Sequence, residues 1–301
     1  MDTLPIELHA QIFEYACADD GSAARALALV SRYVRAAAAP YRYQSLSVAG
    51  PDALAHLADT LAALPPHRRR IRRLFLSDRT HKNAVKAPTA PTQDDDCERV
   101  LHTFARVLAL AAPTLECLAV LAAGPHTSTA LLGQLLATPL PRLRALAAHG
   151  FYPFPHAPGV LPRLTHLRLS GNRNPHGLLE LGGLAAACPA LRSLHVGGLV
   201  AAATFAEEVQ RALGAPADDP FARAGEEGAL SPALHELALS TGPSPPNVRR
   251  HAAAAARHEK MCERLRKVAA AKQGSGMKVE VREDSVEKDM YKVLRKFVRG
   301  W

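Results

Sequence analysis

The sequence predicts an α/β chain: a small helical N-terminal module, a helix–strand solenoid with parallel strands, and a helical C-terminal cap. Three observations carry this prediction. The first 44 residues hold amphipathic helical patterns and no strand signal. From there to residue 241 a phrase reading Pro-x-Leu-x-x-Leu-x-apolar recurs, with helical stretches between its copies. Beyond a proline-rich break the last 60 residues read as two basic helices.

Composition suits that architecture. The chain has 301 residues, 48% of them hydrophobic but only 5% aromatic, so leucine and alanine supply the core. The five cysteines, Cys17, Cys97, Cys117, Cys188 and Cys262, are far apart and none sits at CxxC spacing, which argues against a disulfide framework and a zinc site. No basic n-region and apolar h-region opens the chain, and no apolar run reaches spanning length. The expected location is therefore cytosolic or nuclear, without a membrane segment. The formal net charge of +9 is concentrated at one end: residues 242–301 carry 15 Lys/Arg against 7 Asp/Glu.

The first helix is predicted over Leu4–Ala16. Pro5 suits its first turn, where the missing amide costs nothing, and Glu7 lies near the positive end of the dipole. Leu4, Leu8 and Ile12 recur every four residues on one side, with Phe13 and Ala16 beside them. "CADDGSA" (17–23) is a turn, and "ARALALVSRYVRAAAAP" (24–40) is predicted helical up to Pro40.

The repeated phrase then appears as "PTLECLAV" (113–120), "PRLRALAA" (141–148), "PRLTHLRL" (162–169), "PALRSLHV" (189–196) and "PALHELAL" (232–239). "IRRLFL" (71–76) lacks the proline, "YQSLSV" (43–48) keeps only the last part, and "MKVEV" (277–281) is a degenerate final copy. The last two apolar positions are two residues apart, as a strand with one buried face requires. The strand leucines are Leu46, Leu74, Leu118, Leu146, Leu167, Leu194 and Leu237, and four of their six intervals (28, 28, 21 and 27) fall in or near the leucine-rich-repeat range.

Helices are predicted at 52–64, 98–112, 128–138, 177–187 and 203–214, with loop insertions at 78–97 and 215–232 in the two long intervals. Stacking such units lays the strands parallel, puts the helices outside and leaves a concave strand face. "GPSPPN" (242–247) breaks the pattern. Residues 248–272 are an alanine-rich basic helix, and 285–301 an amphipathic helix expected to cap the solenoid. The predicted domains are thus 1–44, 45–241 and 242–301.

With Leu4-Pro5, Glu7-Leu8, Ile12-Phe13, Leu29-Val30-Ser31-Arg32 and Pro40-Tyr41-Arg42 in that order, residues 3–43 resemble an F-box. The chain as a whole is similar to fungal F-box-like proteins with leucine-rich repeats. The resemblance implies a three-helix module that docks on the Skp adaptor of an SCF-type cullin–RING ubiquitin ligase, and repeats that present a target protein. The adaptor-contacting positions it implies are Leu4, Pro5, Leu8, Ile12, Leu29 and Val30, with Phe13 beside them.

Strand alternation places Arg73, Phe75, His149, His166, Arg168, Ser170, Ser193, His195 and Glu236 on the concave face, the natural target-binding surface. His149, His166 and His195 lie on separate repeats with no cysteine or carboxylate at ligand spacing, so no metal is expected. No GxSxG, P-loop, HExxH or Cys–His motif occurs, so neither enzyme activity nor a cofactor is expected. "HRRRIRR" (67–73) and the basic C-terminal helix are the nucleic-acid candidates. The first leads straight into a strand and the second lacks interleaved aromatics, so both read as solvated faces. "QDDD" (93–96) reads as loop. Two alternatives stay open beside the adaptor: a stand-alone repeat scaffold for protein interaction, and a basic nucleic-acid-associated protein.

Overall fold

A computed structural model describes residues 4–18, 21–81, 94–153, 157–179, 183–214, 230–245, 252–272, 276–283 and 289–301. Along the chain these give α1 (Ile6–Ala16), α2 (Ser22–Val30), α3 (Arg32–Ala38), β1 (Ser45–Ala49), α4 (Pro51–Ala63), β2 (Arg73–Ser77), α5 (Asp94–Ala111), β3 (Cys117–Leu121), α6 (Ser128–Ala137) and β4 (Ala145–His149). Then follow β5 (His166–Ser170), α7 (Gly183–Ala187), β6 (Ser193–Leu199), α8 (Ala203–Ala212), β7 (Glu236–Thr241), α9 (Ala252–Ala271), β8 (Lys278–Glu283) and α10 (Met290–Gly300). The chain divides into two compact units, Met1–Leu131 with Asp289–Trp301, and Leu132–Lys288, the boundary falling inside α6.

In the first unit, α1–α3 enclose a small core of Phe13, Val34 and Ala38, with Leu27, Ala37 and Tyr41 packed on it. The stretch predicted as one helix over 24–40 is two. Ser31 takes an extended backbone (φ −161°, ψ 166°), and its Oγ accepts the Val34 amide at 3.1 Å. A serine competes for backbone donors in this way and so favours caps over helix interiors. Gly21, at φ +85°, is forced by a close approach: a Cβ there would lie 2.9 Å from the Ser45 carbonyl oxygen.

Three parallel strands follow in this unit. The register puts Leu46 beside Leu74 and Leu74 beside Leu118, with Val48, Leu76 and Val120 forming the next row. Asp78, just past β2, is buried and ties three elements together. Its carboxylate accepts the amides of Ala123 (2.9 Å) and Gly124 (2.7 Å) and the Thr127 hydroxyl (3.1 Å). Gly124 suits this place, because a Cβ there would collide with Thr127 Oγ1 and with the Asp78 carboxylate.

In the second unit five parallel strands pair in chain order, β4 to β8. Leu146, Leu167, Leu194, Leu237 and Val279 share one row, so the degenerate copy at 277–281 is a true strand. The repeated phrase has one local structure. Leu143, Leu164, Leu191 and Leu234 each donate their amide to the carbonyl three residues back, closing a tight turn that delivers the chain to its strand. These leucines and the strand leucines are all buried, only Leu46 being partly open.

The structure corrects several boundaries. α5 begins at Asp94, inside the stretch predicted as loop. Residues 82–93 and 215–229, the bulk of the two predicted insertions, lie outside the described residues, as do 246–251 in the predicted break and basic helix. Of the helix predicted over 177–187 only Gly183–Ala187 is helical among the described residues. The Glu208 carboxylate holds the preceding turn by accepting the Gly177 amide.

The segment 242–301 is not one cap. α9 packs on α8 and β8, burying His258, Met261, Cys262, Leu265 and Val268, and β8 extends the sheet beside β7. α10 belongs to the first unit.

Asp78→Ala leaves three donors without their acceptor and is expected to lower stability by about 3 kcal/mol. Urea unfolding should show a lower midpoint at an unchanged slope.

Candidate functional site

The N-terminal module displays apolar side chains that its own fold does not cover. Leu8, Ile12 and Tyr15 lie along one stripe of α1, with exposed Leu4 just ahead of the helix, and Ile12 is 50% exposed. At the end of α2, Leu29 is 81% and Val30 62% exposed. Pro5, also exposed, precedes the first helical residue, and its carbonyl accepts the amides of Leu8 (3.1 Å) and His9 (3.2 Å). Pro5 therefore marks where the helix begins. Six of the seven positions predicted to meet a partner are thus open to solvent. The seventh, Phe13, is corrected: it is 3% exposed and is the centre of the module's own core. Helix geometry explains the difference, since Phe13 follows Ile12 by about 100° and so turns away from the exposed stripe.

Tyr33 is half exposed, and its hydroxyl meets His9 Nδ1 at 2.8 Å, which links α1 to α3 behind the stripe. Exposed leucines scattered singly are ordinary. A contiguous exposed apolar patch is a surface that can serve an interaction.

The predicted target face resolves differently in the two units. In the first, Arg73 and Phe75 are not open for a target. α10 lies on β2 and β3, with Leu294 and Val298 buried beneath it. The Tyr291 ring meets Phe75 edge-on at a centroid distance of 4.9 Å, and Phe75 is fully buried. Arg73 donates to the Trp301 carbonyl oxygen at 2.7 Å and to the Ala18 carbonyl oxygen. Periodicity reveals that the last helix is amphipathic. It does not reveal which surface that helix meets.

In the second unit the other seven positions do share a face. His166, Ser193 and Glu236 form one cross-strand row, Arg168 and His195 the next, and His149 and Ser170 the third. Ser193 Oγ donates to Glu236 Oε2 at 2.8 Å, His149 Nδ1 meets Ser170 Oγ at 3.0 Å, and His195 Nε2 meets Ser240 Oγ at 3.1 Å. β8 adds Lys278, Glu280 and Arg282 to the rows, with Arg282 Nε donating to Glu280 Oε2 at 2.9 Å. Burial, then the Arg168 and Arg282 guanidinium groups, push His195 down to about 4, and burial lowers His149 as well. Both imidazoles are neutral at pH 7.

Two buried carboxylates escaped the sequence reading, Asp78 and Glu208. Glu208 is fully buried in α8 and pairs with His176 in addition to the Gly177 amide. An acid one place away from the apolar stripe of an amphipathic helix gives no sign of burial. Burial pushes the Cys117 and Cys188 thiols up to about 12, which disfavours their thiolate forms. Among the described residues no three His, Cys, Asp or Glu side chains converge on a point, and no helix is long and apolar enough to cross a membrane.

Comparison with protein-family models, with curated proteins and with solved structures finds no match to this chain. The fold and the surfaces it exposes are the grounds for a functional reading.

Charged substitutions on the stripe and a truncation in the core should separate cleanly. L8E and I12E are expected to shift unfolding by no more than about 0.5 kcal/mol, whereas Phe13→Ala should cost about 3–5 kcal/mol. Chemical denaturation of the three variants checks this.

His195 gives a pH signature. The unfolded chain takes up the proton near 6.5 and the folded chain only near 4, so stability falls as pH drops through that window. The ring resonance should titrate near 4, and His195→Gln should flatten that part of the stability curve.

Proposed function

We propose that this chain is a non-catalytic substrate-recognition subunit of an SCF-type cullin–RING ubiquitin ligase, working in the cytosol or nucleus. On this reading α1–α3 are an F-box-like module that docks on a Skp adaptor. The leucine-rich-repeat-like strands that follow hold a target protein.

One observation carries the reading. Leu4, Leu8, Ile12, Leu29 and Val30, the positions at which the motif resemblance puts adaptor contacts, are exposed on a module that already has its own closed core. Fully covering such side chains yields about 1.5–3 kcal/mol each, enough for a stable contact once a few are buried together. The polar rows of the second unit suit the other half of the task, since they offer paired donors and acceptors on a rigid sheet. The subunit's contribution to ubiquitin transfer would be proximity, a raised effective concentration of target lysine near the transfer module.

The test is co-purification with a Skp adaptor. The wild-type chain is expected to form a stoichiometric complex, and L8E combined with I12E to lose it while keeping the wild-type melting temperature. A wild-type chain that stays monomeric with adaptor in excess overturns the proposal and leaves the stand-alone scaffold.

A further inference from the structure

In the second unit the tight turn ahead of β4 to β7 has two positions that are never buried. One lies between the proline and the leucine of the repeated phrase, the other just after that leucine. Arg142 and Arg163 hold the first position in adjacent repeats, Arg144 and Arg192 hold the second, and all four are exposed. The backbone sets them side by side. Leu143 and Leu164 close equivalent turns around Arg142 and Arg163. Thr165 stands between Arg144 and Arg192: its amide donates to the Arg144 carbonyl at 2.8 Å, and its carbonyl accepts the Arg192 amide at 2.9 Å. Exposed His235 continues the row, donating its amide to the Arg192 carbonyl.

Charge sets these arginines apart from other cations of the unit. Arg264 is matched by Glu207, Arg266 by Glu283, and Lys278 and Arg282 by Glu280. Arg142, Arg144, Arg163 and Arg192 have no carboxylate partner among the described residues. Neighbouring parallel strands stand about 5 Å apart, so the fold roots four arginines along about 10 Å of one sheet edge. Like charges rooted that close repel one another, and an anion laid across them relieves the repulsion. The guanidinium fork takes a carboxylate through two parallel hydrogen bonds.

We propose that this edge of the second unit is a docking site for an acidic segment of the target protein, its carboxylates received by Arg142, Arg144, Arg163 and Arg192. An extended peptide advances about 3.3 Å per residue, so acids three positions apart reach Arg144 and Arg192 together. The surroundings favour a peptide over a nucleic acid. The two rows hold no Phe, Tyr or Trp on which a base could stack. The adjoining strand face carries Glu236 and Glu280, which oppose a longer run of phosphates. The inference rests on the target-binding role proposed for this unit, whose ligand it assigns a charge, and not on adaptor docking.

The probe is a fluorescein-labelled peptide of four Glu-Gly-Gly repeats, titrated with the full chain at low salt and followed by anisotropy. Saturable binding is expected, weakening as salt rises. R144E combined with R192E should bind at least about tenfold more weakly at the wild-type melting temperature. R144Q combined with R192Q should weaken binding in the same direction, and it decides the matter if the charge reversal prevents folding. R257E combined with K260E makes the same change of net charge on exposed positions of α9, and should leave affinity within about twofold.

Four results overturn the proposal: no saturable binding, unchanged binding in both Arg144 and Arg192 double variants, or an equal loss in the α9 variant, which would make the effect one of net charge. The fourth is tighter binding of an oligothymidylate through the same arginines, which would make the edge a nucleic-acid site. Peptide binding must be unchanged in the chain carrying L8E and I12E, and the chain carrying R144E and R192E must take up the adaptor as wild type does. Failure of either proposal is thereby read apart from the other.

Discussion

The backbone ladder between successive parallel strands is the constraint on which the rest depends. In the second unit β4 to β7 are each delivered through the same tight turn, and the residue ahead of β5, β6 and β7 is bonded to its counterpart in the previous repeat. Thr165 donates to Arg144, Arg192 to Thr165 and His235 to Arg192 at 2.8–2.9 Å, and Lys278, the first residue of β8, donates to His235 at 2.7 Å. That fixes the register, and with a side-chain period of two the register decides everything on both faces. Leucine meets leucine on one side, so a row of buried side chains replaces a core that no single repeat contains. On the other side polar residues from distant parts of the sequence come into cross-strand contact.

The two strand faces opposite the leucines are therefore built alike but finished differently. In the second unit the polar rows satisfy one another: serine to glutamate, histidine to serine, arginine to glutamate. Burial and two arginines keep His195 neutral, which avoids a third cation in the middle of the rows. In the first unit the same face is apolar at Phe75 and Ala119, and an apolar strand face in water is unstable unless something covers it. α10 covers it. Arg73 then connects the turn after α1, the strand β2 and the last carbonyl of the chain through a single guanidinium.

The N-terminal module shows the opposite condition. Its core is complete with Phe13, Val34 and Ala38, yet it leaves leucine, isoleucine and valine side chains in solvent. A module that has satisfied its own packing gains little stability from such residues. This asymmetry supports the adaptor reading more directly than the repeats do, since stacked helix–strand units serve many purposes.

Local patterns determined a large part of this protein by themselves. The spacing of two between Leu118 and Val120 marks a strand, and the spacing of four between Leu8 and Ile12 marks a helix, because side-chain direction follows backbone geometry alone. Repetition of one phrase was enough to set the strands parallel and to align the leucines, and even the weak copy at Val279 and Val281 obeys it. The placement of Phe13 inside rather than outside, the burial of Asp78 and Glu208, and the covering of Arg73 and Phe75 were settled only in three dimensions. In each case the deciding partner lies elsewhere in the fold: Leu27 and Val34 for Phe13, the Ala123 and Gly124 amides for Asp78, residues more than two hundred positions away for Arg73. Sequence fixes which side chains share a face, because that is a property of one element. Which surface meets that face depends on how separate elements pack, and no local period encodes it.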